Sequence, residues 1–290
     1  MKAIEGILTA MATPFDERGA VDLDAARGLA AHLLEHGSHG LVIAGSTGEC
    51  PTLTDEEEIE ILRAVRAEVG DEVLLVCGTG TNDTRHSREL TKMAAEAGAD
   101  ASLVVAPYYN KPNRAGLLAH FESVAEAVPG LPMIVYNIPA RVVINMPPDL
   151  LAELARIDNV VGVKQANDDE LGPVEGLAVL AGNDNTLCRV LEFGGAGGIT
   201  VASHVVGKQM RAMWDAAQGG DLDHARAIDN ELTPVYEGLS VTTNPIPVKA
   251  ALEMLGLASG RLRLPLVAAD AEQRAAIKTA LEGIGLPAAG

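Results

Sequence analysis

The sequence predicts an α/β fold, a (β/α)8 TIM barrel with a C-terminal helical annex, on three observations. Between Gly6 and Val201, eight short apolar, β-prone runs alternate with segments of helical spacing, the pattern of a parallel sheet whose strands are joined by crossover helices. The runs read as continuously hydrophobic, as expected of strands covered on both faces. Beyond Gly219-Gly220 the strand runs stop and only helical periodicity continues. A doubly wound open sheet is the competing architecture, weakened because no Gly-x-Gly-x-x-Gly follows the first strand. The expected division is a catalytic barrel over residues 1–224 and a helical domain over 225–290.

The elements follow in order. Gly6 to Ala12 reads as the first strand, stopped by Thr13-Pro14. Asp22 to Glu35 has helical spacing, with Leu23, Ala26, Leu29, Ala30 and Leu33 on one face, and His36-Gly37 ends it. Gly40 to Ala44 is the second strand. Thr54-Asp55-Glu56-Glu57 is a capping box, Thr54 the cap and Glu57 reaching back, for a helix to about Val69-Gly70. Strands at Val73–Cys77, Ala101–Ala106 and Met133–Tyr136 are separated by helices near Thr84–Glu96 and Ala115–Val128. A helix from Pro148 to Ala155 precedes the sixth strand, Val160–Lys164; Ala178–Ala181 and Gly197–Val201 are the seventh and eighth. In the annex, Asp221–Tyr236, Pro247–Leu255 and Asp270–Gly283 read as helices.

The chemistry-bearing residues stand after successive strands, on the barrel face where active sites form. Val160-Val161-Gly162-Val163 finishes on Lys164. A lysine at the mouth of a barrel loses solvation, which favours the neutral amine, a nucleophile for ketones and aldehydes. After the second strand, Gly45-Ser46-Thr47-Gly48-Glu49 offers hydroxyl and backbone N–H groups to a carboxylate or phosphate. After the fourth comes Pro107-Tyr108-Tyr109-Asn110, holding two of the chain's four tyrosines. After the fifth comes Tyr136-Asn137-Ile138-Pro139-Ala140-Arg141, with a phenol able to relay a proton and a guanidinium able to clamp a carboxylate. Each signal alone is weak, and a plain turn, a packed tyrosine or a solvated arginine competes with it; the weight lies in their coincidence. His32 and His36 share a helix at i, i+4 but lack a third metal ligand, and His86, His120 and His204 stand isolated in the sequence. The expectation is Schiff-base chemistry on a small keto acid, without metal or organic cofactor.

Composition narrows the partners. The 290 residues carry a net charge of −18 and a pI near 4.7, against nucleic acid or an anionic membrane as partner. No apolar run approaches the length of a membrane-spanning helix, and Met1 to Gly6 lacks a signal-peptide layout. Cys50, Cys77 and Cys188 form no Cys-x-x-Cys pair, which fits a reducing cytoplasm.

In this order, Gly45–Glu49, Pro107–Asn110, Tyr136–Arg141 and Gly162-Val163-Lys164 resemble the pyruvate-dependent class I aldolase (N-acetylneuraminate lyase) superfamily over almost the whole chain. Asn244-Pro245-Ile246-Pro247-Val248-Lys249 and Leu262-Arg263-Leu264-Pro265 resemble, within it, the synthases that condense pyruvate with L-aspartate 4-semialdehyde on the diaminopimelate route to lysine. The resemblance implies that Lys164 forms the Schiff base; that Tyr136, Tyr109 and Ser46 relay protons; that Thr47 holds the pyruvate carboxylate, with Ile199 and Gly182 nearby; and that Arg141 receives the semialdehyde carboxylate. It also implies that Tyr109 enters a neighbouring subunit's site, in a homotetramer built as two dimers. Asn82 and Tyr108 match the lysine-effector pocket of sensitive relatives, whereas Asp55, Glu58 and His86 depart from it, so weak or absent lysine inhibition is expected. Ser46 stands where these synthases usually carry threonine, and Gln165-Ala166-Asn167-Asp168 also departs. A sister aldolase, acting on N-acetylneuraminate or keto-deoxy sugar acids, is the alternative; a catalytically silent barrel is disfavoured by the complete set of Lys164, Tyr136 and Tyr109.

Overall fold

In a computed structural model, which describes residues 2–286, eight parallel strands close into a barrel in the order β1 to β8. The strands are β1 (Gly6–Ala10), β2 (Gly40–Ile43), β3 (Leu74–Gly78), β4 (Ala101–Val105), β5 (Met133–Asn137), β6 (Val160–Gln165), β7 (Ala178–Ala181) and β8 (Gly197–Thr200). The outer layer comprises α1 (Leu23–Glu35), α2 (Asp55–Val69), α3 (Thr84–Glu96), α4 (Arg114–Ala125), α5 (Pro139–Val142), α6 (Pro148–Leu154), α7 (Leu187–Glu192) and α8 (Ser203–Gln218). The annex holds α9 (Leu222–Gly238), α10 (Ile246–Met254) and α11 (Ala271–Gly283).

Local chemistry explains the boundaries. Asp22 caps α1, its carboxylate accepting the Ala25 N–H, so Asp22 lies just outside the helix rather than opening it. The Thr54–Glu57 capping box forms at α2 as expected. β1 ends at Ala10, two residues earlier than the apolar run, because the chain leaves the ladder there to enter the loop before α1. α4 covers Arg114–Ala125 and stops short of Val128, with Asn113 as its cap. The sequence reading named no helix at α5, α7 or α8. The first two are only one to two turns long; α8 does carry helical spacing, with Val206, Met210 and Met213 buried on one face, and its backbone kinks at Val206.

β1 and β8 meet at the seam that closes the barrel. Gly6 pairs with Gly197, and a Cβ on Gly197 would lie 2.1 Å from the Gly6 carbonyl oxygen, so glycine is required there. The strand side chains form one core with α4 and α6, including Leu8, Val76, Leu103, Ile134, Val163 and Ile199, all buried; each large aliphatic contributes ~1.5–3 kcal/mol by leaving water. A second core joins α7 and α8 to the annex through Val206, Met210, Met213, Ile228, Val235 and Ile277. α9 therefore shares its apolar face with the last barrel helix, which fixes it over the barrel's carboxyl mouth.

Candidate active site

A cavity of about 490 Å³ opens at the carboxyl ends of the strands. The Cα register of β5 and β6 pairs Tyr136 with Lys164, so both side chains leave the sheet at one level on one face. The Lys164 amine lies 4.3 Å from the centroid of the Tyr136 ring, and both residues are 6% exposed. Burial lowers the Lys164 amine from 10.5 to about 8; Asp184 opposes that fall and Arg141 adds to it. Burial also drives the Tyr136 phenol well above its usual range, keeping it a proton-bearing donor.

The loop after β2 brings Ser46 and Thr47 to the cavity wall. Thr47 is buried, and its hydroxyl accepts a hydrogen bond from Asn244 Nδ2 at 3.0 Å. The loop turns through left-handed backbone at Ala44 and Glu49, at φ 55° and 60°. Arg141, on the short α5, is exposed at the rim. Its Nη2 donates to the Asn244 carbonyl at 3.0 Å, and among the described residues no carboxylate pairs with it. Gly182 lines the wall after β7, but its N–H is already committed to the Gln165 carbonyl at 2.7 Å.

Ser46, Thr47, Tyr136, Arg141, Lys164 and Gly182 thus come together around one space. Two expected residues do not join them. Ile199 is fully buried in the barrel core, and Val201, two residues on, lines the cavity instead. Tyr109 sits at φ 71° on a loop, 88% exposed and outside the cavity lining.

The sequence reading missed several wall residues. Asp184 follows β7 and accepts the N–H groups of Val201 at 2.8 Å and Ala202 at 3.0 Å; burial pushes its carboxyl up. Asp229, Thr233, Tyr236 and Glu237 project from α9 into the same space. Their i, i+4, i+7, i+8 spacing marks one helical face, the one signal the sequence offered, but nothing in it said that this face covers the barrel mouth. Asn244 opens the Asn244–Lys249 stretch, and nothing in the sequence pointed to its bond with Thr47.

The candidate effector residues gather elsewhere, beside α2 and α3. His86 is not isolated: its Nε2 lies 2.9 Å from both carboxylate oxygens of Asp55. Glu58 is buried, its Oε2 has no hydrogen-bond partner, and burial first, then Asp55, pushes its carboxyl up to about 9. The Asn82 carbonyl accepts from Asn110 Nδ2 at 2.8 Å, and Tyr108 is raised by its own burial first, with Cys50 and Glu58 adding to it. His120 and His204 are likewise partnered. His120 Nδ1 meets the Thr84 hydroxyl at 2.9 Å, and His204 Nε2 accepts the Ala12 N–H at 3.1 Å; burial lowers both to about 4, so both rings are neutral. His32 and His36 stack at 3.9 Å between ring centroids.

Residues 3–284 match the model of the dihydrodipicolinate synthetase family. The chain is 46% identical over 287 residues to the 4-hydroxy-tetrahydrodipicolinate synthase of Synechococcus elongatus, covering 97% of this chain and 96% of the relative. It is also similar to the crystal structure of the lysine-bound enzyme from Cyanidioschyzon merolae, with TM-score 0.92 and 38% identity over 97% of this chain and 98% of that one. The pyruvate complex of the chloride-inhibited enzyme from Acinetobacter baumannii superimposes with TM-score 0.94 at 35% identity, over 98% of this chain and 100% of that one.

Proposed function

The chain belongs to the dihydrodipicolinate synthetase family, and from that premise we propose that it condenses pyruvate with L-aspartate 4-semialdehyde to 4-hydroxy-tetrahydrodipicolinate, through a Schiff base on Lys164, on the diaminopimelate route to lysine. The observation that carries the reading is the Lys164 amine, buried at the cavity floor against Tyr136 and lowered to about 8.

In the neutral form Lys164 Nζ attacks the pyruvate ketone carbon, and a proton reaches the departing oxygen through Tyr136, Ser46 and Tyr109, releasing water. The iminium draws electrons from the methyl group, which gives up a proton to form the enamine. The enamine carbon adds to the semialdehyde carbonyl, whose oxygen takes a proton. The semialdehyde's amine then attacks the imine carbon, closes the ring and expels Lys164. Thr47 and the backbone around it hold the pyruvate carboxylate. Arg141, free of any carboxylate partner among the described residues, receives that of the semialdehyde.

Tyr109 enters this scheme from a neighbouring subunit. Its full exposure away from its own chain's cavity supports a homodimer as the least active unit, paired into a tetramer. The barrel carries the chemistry, and the C-terminal helices, which begin with α9 at Leu222 rather than at 225, complete the mouth. Free thiols at Cys50, Cys77 and Cys188 fit a cytoplasmic setting, and among the described residues no helix is long and apolar enough to cross a membrane. Arg141 beside Asn244 favours a carboxylate-bearing amino-acid aldehyde over the sugar acids of sister aldolases.

The test is reductive trapping. Borohydride with pyruvate should add one adduct to Lys164, read by intact mass and peptide mapping, and Lys164→Ala should abolish it. An adduct on Lys111, or none, would refute the Schiff-base assignment.

A further inference from the structure

Glu49 ends the loop that carries Ser46 and Thr47, and its backbone at φ 60° lies in the left-handed region, where a non-glycine residue stays only when its surroundings hold it. The holding groups come from the annex. Lys249, one turn into α10, donates from Nζ to Glu49 Oε1 at 2.5 Å and to the Thr13 carbonyl at 2.8 Å. The Arg263 N–H donates to Glu49 Oε2 at 3.0 Å. Both charged side chains of the pair are 1% exposed. Thr13 Oγ1 in turn donates to the Gly48 carbonyl at 2.7 Å, so Lys249 grips the loop through two of its neighbours. At the entrance to α10, Asn244 bonds the Thr47 hydroxyl directly. The annex therefore holds the turn at Thr47 itself and again at Glu49, two residues on.

No step of the reaction uses Glu49 or Lys249, and neither lines the cavity. Nor does such a pair add much stability, since the cost of desolvating two ions roughly cancels their attraction and apolar replacement is often neutral. What the pair does supply is a fixed position. We propose that Glu49 and Lys249 are positioning residues whose buried ion pair sets the Ser46–Thr47 turn where it receives the pyruvate carboxylate, making the helical annex part of the pyruvate site. The inference rests on the assignment of that turn to pyruvate.

The double variant Glu49→Gln/Lys249→Met removes both charges at nearly constant volume, and Glu49→Gln alone, which keeps an oxygen acceptor for Lys249, serves if the double variant does not fold. In either, the pyruvate concentration for half-maximal borohydride trapping should rise about tenfold or more while the semialdehyde KM changes little; the melting temperature should hold in the double variant and fall in Glu49→Gln alone, which leaves the Lys249 charge buried without its partner. Half-saturation within about twofold of the wild type would overturn the proposal. So would parallel losses for both substrates with a lowered melting temperature, which mark a purely structural pair. If the wild-type enzyme itself traps no pyruvate, the family-based reading fails first and this inference falls with it; normal wild-type trapping with an unaffected variant sinks the inference alone.

Discussion

In the proposed mechanism the ionisation of Lys164 sets how fast pyruvate is captured. An amine at its ordinary 10.5 would be neutral in roughly one molecule in 3,000 at pH 7, whereas at about 8 it is neutral in roughly one in ten. Burial thus raises the reactive fraction about 300-fold, at a cost of about 3 kcal/mol in holding the amine out of water. The sign for stability follows. Between about 8 and 10.5 the unfolded chain binds a proton that the native chain has released, so this group's contribution to stability rises with pH through that window and is at its lowest below 8. Lys164→Met should therefore melt at a higher temperature than the wild type at pH 7, and the difference should shrink above pH 10. In the same way kcat/KM for pyruvate, which reports the free enzyme, should climb from pH 6 and level above about 8. Asp184→Asn removes the charge that opposes the fall, so its climb should shift to lower pH. A profile that keeps climbing past pH 9.5 would refute the desolvation argument, and one that Asp184→Asn leaves unmoved would refute the opposing role of Asp184.

Three further outcomes follow from named contacts. Arg141→Ala should raise the semialdehyde KM about tenfold, the low end of a charge-assisted pair because the arginine is exposed, and leave pyruvate trapping intact; unchanged aldehyde kinetics would point to a sister substrate. Mixing inactive Tyr109→Phe and Lys164→Ala chains should restore part of the activity if Tyr109, exposed on its own chain, completes a partner's site; a fully active monomer in sedimentation would contradict this. Lysine should inhibit weakly or not at all, because Asp55 is engaged by His86 and Glu58, raised to about 9, is uncharged at pH 7, leaving no free carboxylate among them for an ammonium; saturable inhibition of initial rates at sub-millimolar lysine would show the pocket still works.

The sequence by itself determined the barrel, because each strand and each long helix is encoded by local periodicity and capping: the continuous apolar runs of β3 to β6, the amphipathic α1, the Thr54–Glu57 box of α2. It also determined the residue types at the strand ends, since a side chain after a barrel strand has one place to go, and Lys164 and Tyr136 meet as that rule requires. Short helices such as α5 and α7 escaped it, because four to six residues carry too few turns to show a period. Only the tertiary structure decided which distant segments close the site. That α9 lays Asp229, Tyr236 and Glu237 over the mouth, and that Lys249 meets Glu49 across 200 positions of chain, depends on how the annex packs against α8, and local sequence does not encode long-range packing. Nor did it say that His86 would pair with Asp55 or that Glu58 would lose its charge, since ionisation in a protein is set by the neighbours and the water that folding brings or removes.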